Sequence, residues 1–178
     1  ENTQGDVFSI PHNSNMSNGV MFSLTDAHNT PITKDYATKR SRWEPLVEAT
    51  QIKGDSETHP LVSVNDEFGD YETWNSWKGW QGLDSCDYDC IQRKQASYVR
   101  PALGLGLKAK ANIGVNPFKF GMIGSTDSHT SLATADEDNF WGKLSYYEPS
   151  KFRAIYRAYH NDPTSQGRWE YSAAGYAA

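Results

Sequence analysis

Short apolar runs separated by polar, turn-forming stretches dominate the hydrophobic pattern of the chain. Residues 6–11 form the first run, which predicts a short buried strand closed by Pro11. Residues 46–52 and 118–123 form two further strand-sized runs. We therefore expect three short strands, each followed directly by polar residues.

Helical patterns alternate with these strands. Residues 35–42 are expected to be helical, with an end before Pro45, and residues 12–19 to be a loop or a helix start. Residues 90–113 predict a long helix that Pro101 must start, kink or split. Residues 148–160 predict a last amphipathic helix. The alternation indicates an α/β fold with a mainly parallel sheet.

The length of 178 residues suits a single domain over residues 1–178. An irregular, Trp-rich insertion is expected at about residues 60–90, where Trp74, Trp77 and Trp80 recur at every third position. Packing is the favoured role for these rings, and a stacking platform is the alternative.

Composition and charge exclude two classes of partner. No apolar run approaches the roughly 20 residues that span a bilayer, so no membrane partner is expected. The formal net charge is -5 and the basic residues are scattered, which disfavours nucleic acid as a partner.

Cys86 and Cys90 stand four apart, and they are either a local disulfide of an exported protein or two unrelated thiols. The compartment, periplasm or cytoplasm, stays open.

Candidate metal ligands follow each predicted strand. His12 follows the first, Glu57 and His59 the second, and Asp127 and His129 the third. The carboxyl ends of parallel strands meet at one edge of a sheet, where sites are built from successive loops. Mixed imidazole and carboxylate ligands suit Zn, Mn or Fe. Asp127 and His129 point the same way if the extended conformation continues.

Each residue also has a simpler structural role. His12 can be a hydrogen-bonded loop residue, Asp127 a cap or turn acid, Glu57 a solvated carboxylate and His59 a turn residue. Glu48 alternates into the second strand, so it is either buried and paired or on a polar face. If buried, it is a candidate ligand or a residue that orients one.

Several blocks resemble, in order, those of the DUF3604 family of the PHP (polymerase and histidinol phosphatase) superfamily. They are residues 10–19, 44–48, 51–57, 116–130 and 139–142. The Gly-Ser-Thr-Asp-Ser-His block at residues 124–129 is also similar to the last metal-binding motif of PHP phosphoesterases. The Pro-His pair at residues 11–12 is similar to one of their middle motifs.

The resemblance implies a distorted (β/α)7 barrel that holds two or three divalent metal ions and hydrolyses phosphoesters. His12, Asp127 and His129 carry over as ligands, and Glu57, slightly preferred to His59, would supply a further one. The family's opening His-x-His motif and its Thr-Asp-His motif are absent from the sequence. We therefore expect the chain to be the C-terminal part of a barrel, with the N-terminal part as its missing partner and little activity on its own.

The leading hypothesis is a metal-dependent hydrolase, specifically a phosphoesterase, acting on a small anionic substrate. His12, Asp127 and His129 would be catalytic through the metals, and Asn13, Asn15 or Lys53 would contact substrate oxygens. A carbohydrate-binding module that uses the three Trp residues is one alternative. A metal-dependent amidohydrolase is another, because the ligand types are shared between the two chemistries.

Overall fold

Two parallel strands and three α-helices make up the regular structure of the residues that the computed structural model describes, which are 5, 7–51, 55–71, 88–125 and 127. A single 3-10 turn precedes them at Ser14–Met16. In chain order the elements are α1 (Lys34–Trp43), β1 (Leu46–Thr50), α2 (Tyr88–Gln95), α3 (Val99–Ile113) and β2 (Gly121–Gly124).

The sheet pairs β1 with β2 in parallel, with Leu46 opposite Gly121 and Val47 opposite Met122. The register shifts between Glu48 and Thr50. Helices α2 and α3 lie between the two strands in the sequence, as expected because parallel strands need a crossover connection. The prediction of mixed α/β structure with parallel strands is thus confirmed. The (β/α)7 barrel stays a prediction.

The prediction of a buried first strand is wrong. Residues 7–10 are not a regular strand, and Val7 and Phe8 are 62% and 52% exposed. The segment nevertheless runs beside β1. The Ser9 amide donates to the Trp43 carbonyl (2.6 Å), and the Glu48 amide donates to the Pro11 carbonyl (2.9 Å). Among the bonds of the described residues, only the second reaches β1, because Trp43 is the last residue of α1, and Pro11 has no N–H to continue the ladder.

Helix α1 confirms its prediction to within a residue at each end. Thr33 caps its start, where the side-chain oxygen accepts a hydrogen bond from the Tyr36 amide (3.2 Å). Asp35 in the first turn and Arg42 in the last complement the helix dipole. The helix ends before Pro45, whose ring disfavours a helical conformation in the residue that precedes it.

Pro101 lies near the start of α3, after a break that splits the predicted long helix in two. It is the third helical residue, where a missing N–H costs no helical hydrogen bond. Helix α3 ends at Gly114, in the left-handed conformation (φ 82°) that glycine adopts without strain.

Cys90 in α2 is disulfide-bonded, which supports the disulfide alternative.

An aromatic cluster forms the centre of the core between the sheet and α3. Phe22 packs edge-on against Phe118, with ring centroids 5.6 Å apart, and Phe120 completes the group. The Arg40 guanidinium lies 4.9 Å from the Phe118 centroid, where the ring quadrupole attracts a cation. The other buried residues of this cluster come from β1 and α3 and are Val47, Ala49, Val99 and Ala102.

No helix among the described residues is both long and apolar enough to cross a membrane.

Candidate functional site

His12 and Asp127 follow two segments that each form a hydrogen bond to β1. His12 directly follows Pro11, whose carbonyl accepts the Glu48 amide. Asp127 lies two residues after Ser125, whose amide donates to the Thr50 carbonyl (3.1 Å). Because β2 runs parallel to β1, Asp127 lies beyond the carboxyl end of β2, and His12 follows the residue that bonds to the middle of β1. His12 is exposed and Asp127 is half-buried.

The loop that carries His12 is tied to the chain that follows β1. The Gln51 carboxamide donates to the Asn13 side-chain oxygen, so the ends of the two segments are joined. The Asn15 side-chain oxygen accepts from the Ser56 hydroxyl (2.9 Å), and the Asn15 amide donates to the same hydroxyl (3.3 Å). Asn15 is buried, which gives it a role in fixing the loop, whereas Asn13 is half-buried beside His12.

Glu48 is buried and paired, which is one of the two alternatives that the sequence left open. Its side chain is 8% exposed and accepts a hydrogen bond from the Ser125 hydroxyl. The pair joins β1 to the chain just before Asp127. Glu48 therefore holds the backbone that leads to the candidate ligand.

Asp127 does not continue the extended conformation of β2. Its φ of 49° lies in the left-handed region, which Asp and Asn enter more readily than other non-glycine residues. The condition under which Asp127 and His129 were expected to point the same way, a continued extended conformation, is therefore not met at Asp127. Backbone turns of this kind are concentrated at ligand-binding and active sites.

Glu57 forms an ion pair with Arg100. Two N–H groups of the Arg100 guanidinium, on Nε and Nη2, donate to Glu57 Oε1 at 3.0 and 2.7 Å. This bond is the largest cause of the raised pKa of Arg100. The described part of the chain contains no group of three His, Cys, Asp or Glu that could hold a metal ion. His12, Glu57 and Asp127 thus do not meet as a set.

His59 is a turn residue, which was the alternative to a metal ligand. The Val62 and Ser63 amides both donate to its carbonyl (2.9 Å each), and the Leu61 amide donates to its Nδ1 (3.1 Å). The ring is buried against Tyr98, with centroids 6.0 Å apart. These contacts account for the position of His59 without a metal.

Several predicted residues lie outside the described ranges. They are the candidate ligand His129, the candidate substrate contact Lys53 and the three Trp residues, Trp74, Trp77 and Trp80. The amphipathic helix predicted at residues 148–160 lies outside them too.

Sequence reasoning missed Arg100 and Tyr98, which organise the loop after β1. The amides of Val99 and Arg100 donate to the carbonyls of Ser56 (2.9 Å) and Glu57 (3.0 Å). Burial raises the pKa of Tyr98, and the negative charge of Asp55 raises it further. The sequence Tyr-Val-Arg-Pro at residues 98–101 indicates the start of a helix. Only the fold shows that this helix start binds the loop after β1.

Comparison with known proteins identifies a family and no individual relative. Neither the curated proteins nor the solved structures yield a match. The family model described as "Protein of unknown function (DUF3604)" matches residues 1–178. Since this match covers the whole sequence, the chain belongs to the DUF3604 family.

Proposed function

We propose that this protein is a metal-dependent hydrolase, specifically a phosphoesterase, with its metal site at the carboxyl-end edge of the sheet. The supporting observation is that His12 and Asp127 follow two segments that each form a hydrogen bond to β1. We further propose that the parallel pair is part of a distorted (β/α)7 barrel, to which this chain contributes the C-terminal part.

The residues at this edge fit a divalent metal in chemical type. His12 offers an imidazole nitrogen and Asp127 a carboxylate, the ligand types that Zn, Mn and Fe accept. His129, two residues after Asp127, is the third proposed ligand. Glu57 is not included, because Arg100 binds its carboxylate. Further ligands for a cluster of two or three ions would come from outside the described residues.

The neighbouring side chains would hold these ligands in place. A bound divalent metal lowers the pKa of its water and polarises a phosphoryl oxygen. Glu48, through Ser125, fixes the backbone before Asp127. Gln51, through Asn13, fixes the loop of His12. Mutation of a residue that makes such a supporting hydrogen bond typically lowers metal affinity or activity by about 10–100-fold.

The disulfide of Cys90 favours an oxidising compartment. Disulfides persist in secreted and periplasmic proteins and are rare in reducing cytosol. We therefore propose that the protein acts after export. The proposed substrate is a small anionic phosphoester, since the metals would supply the positive charge that an acidic chain lacks.

Asp127→Asn in the complete natural protein tests the proposal. The amide keeps the shape of the carboxylate and removes the charge that binds the metal. We expect near-native folding with phosphoesterase turnover lower by about 100-fold or more. His129→Ala should lower the metal content as well. The measurements are metal analysis of the purified protein and hydrolysis of an aryl phosphate with added Mn or Zn.

Asp89→Asn is the matched control, because Asp89 is an exposed acid in the first turn of α2. It should leave both metal content and turnover unchanged. An aryl amide assayed in parallel distinguishes phosphoesterase from amidohydrolase activity. A metal-free protein that is fully active, or an Asp127→Asn variant with unchanged turnover, would contradict the proposed function.

A further inference from the structure

Asn18 and Gly19 are the one Asn-Gly pair in the sequence, and they lie in a tight turn in the segment that follows His12. Both have a positive φ, 52° and 86°, and the Val20 amide donates to the Ser17 carbonyl (3.2 Å). Two consecutive positive φ angles are typical of a type I′ turn, which favours Asn-Gly. The conformation of the turn therefore accounts for this pair of residues.

The packing of the turn against α2 also requires glycine at residue 19. A Cβ there would lie 2.3 Å from the carbonyl oxygen of Arg93, which is part of the helix backbone. The Gly19 amide donates to the hydroxyl of Ser97 (2.6 Å), and Ser97 is fully buried. Gly19 is therefore fixed to the end of α2 through close contact and through its N–H.

An Asn-Gly pair is chemically labile. The backbone nitrogen of the glycine can attack Cγ of the asparagine, so that a new N–Cγ bond forms while the nitrogen loses its proton to base. The side-chain nitrogen leaves as ammonia, and one water then opens the succinimide ring at either carbonyl to give aspartate or isoaspartate. Glycine favours the reaction because it has no Cβ to hinder ring closure.

The geometry of the turn exposes one partner of this reaction and restrains the other. Asn18 is exposed, so water reaches its carboxamide. The Gly19 N–H points at the buried Ser97 hydroxyl rather than at solvent, which shields its proton from base. The Gly19 nitrogen must therefore give up this hydrogen bond before it can attack Asn18.

We propose that Asn18–Gly19 is a self-modification site of this protein and that the Ser97 hydroxyl keeps it in the unreacted state. The fold requires both residues of the labile pair, so a hydrogen bond suppresses the reaction. Once that bond is lost, Asn18 converts to aspartate and isoaspartate. Aspartate is tolerated in the left-handed conformation, whereas isoaspartate adds a methylene to the main chain and disrupts the turn from Ser17 to Val20.

The test follows the conversion of Asn18 by peptide mapping and mass spectrometry, on the complete natural protein in mildly alkaline buffer. The native protein should convert more slowly when folded than when unfolded in guanidinium chloride. Ser97→Ala should speed the conversion in the folded protein by about fivefold to tenfold, the factor by which one net hydrogen bond typically changes a rate.

Gly106→Ala is the matched control, because a Cβ at Gly106 would meet the Asn116 side chain, which destabilises the fold and leaves Ser97 in place. It should keep the conversion of Asn18 near the native rate. Equal acceleration by the two variants would show that global unfolding controls the reaction, and it would overturn the proposal. A folded native protein that converts as fast as the unfolded chain would overturn it too. Neither measurement involves a metal or turnover, so neither result bears on the proposed hydrolase.

Discussion

Ser14 and Ser97 are both fully buried, but their hydroxyl groups have opposite surroundings. The Ser97 hydroxyl accepts a hydrogen bond from the Gly19 amide (2.6 Å) and lies 3.4 Å from the Ser17 hydroxyl. The Ser14 hydroxyl has no hydrogen-bond partner among the described residues. A buried polar group without a partner costs free energy, and a paired one leaves its partner unsatisfied when it is removed.

Alanine substitution should therefore have opposite effects at these two serines. Ser14→Ala removes an unpaired hydroxyl and should leave the free energy of unfolding unchanged or raise it by about 1 kcal/mol. Ser97→Ala leaves the Gly19 amide without its acceptor and should lower the free energy of unfolding by about 1–3 kcal/mol. Urea denaturation of the two variants measures both. A larger loss for Ser14→Ala than for Ser97→Ala would contradict the assigned hydrogen bonds.

At the scale of single residues, the sequence indicates chemical type better than orientation. His12 follows an apolar run in the sequence, but that run is not a regular strand in the fold. The left-handed conformation of Asp127 could not be predicted, because Asp also continues a strand without strain. The ion pair of Glu57 could not be predicted either. Its partner, Arg100, is 43 residues away in the sequence.

At the scale of elements, two glycines of α3 differ in the space around them. A Cβ on Gly104 would meet no atom within 4 Å, whereas a Cβ on Gly106 would lie 2.1 Å from the side-chain oxygen of Asn116. That oxygen accepts a hydrogen bond from the Phe118 amide (2.8 Å) just before β2. Gly106 therefore lets the chain after α3 pack against the helix.

Gly104→Ala and Gly106→Ala form a matched pair within one helix. Alanine at residue 104 should raise the free energy of unfolding by about 0.5–1 kcal/mol, because glycine is the poorer helix former. The same change at residue 106 should lower it by about 1–3 kcal/mol, since Asn116 must move and release the Phe118 amide. Thermal and urea unfolding measure both. Equal stabilisation by the two variants would show that Asn116 does not pack against α3.

The predictions of secondary structure were wrong where long-range contacts determine the conformation of the chain. Helix α1 was predicted closely, because its Pro45 stop is a local signal. The break before α3 was not located, because its first amides bond to Ser56 and Glu57, more than 40 residues earlier. Residues 7–10 have the apolar composition of a buried strand, but all four are exposed.

At the scale of the whole molecule, one general rule predicted the relation between distant segments. Strands that alternate with helices pair in parallel, and β1 and β2 do so although α2 and α3 separate them in the sequence. The loop that follows β1 does not obey such a rule. Its position depends on hydrogen bonds to Asn15, Val99 and Arg100, none of which leaves a periodic signal in the sequence.

Tyr98 lies where the loop after β1, the start of α3 and the buried His59 meet, and it links their stability to pH. It is 1% exposed, and burial together with the charge of Asp55 raises its pKa above the ordinary value of about 10. In the folded protein the phenol therefore keeps its proton at a pH where the unfolded chain releases it. Its contribution to stability is fully present below about pH 10 and is lost as pH rises through the folded pKa.

Tyr98→Phe should flatten this alkaline loss of stability. The native tyrosine contributes a decline of up to about 1.4 kcal/mol per pH unit above pH 10, and phenylalanine cannot ionise. The measurement is the free energy of unfolding in urea between roughly pH 8 and pH 11, compared as a slope, because loss of the hydroxyl can shift the absolute value at every pH. Tyr88→Phe is the matched control, because Tyr88 is 74% exposed and should leave the slope unchanged. If Tyr98→Phe and the native protein lose stability equally steeply above pH 10, then Tyr98 ionises without unfolding, and the loop after β1 opens independently of α3.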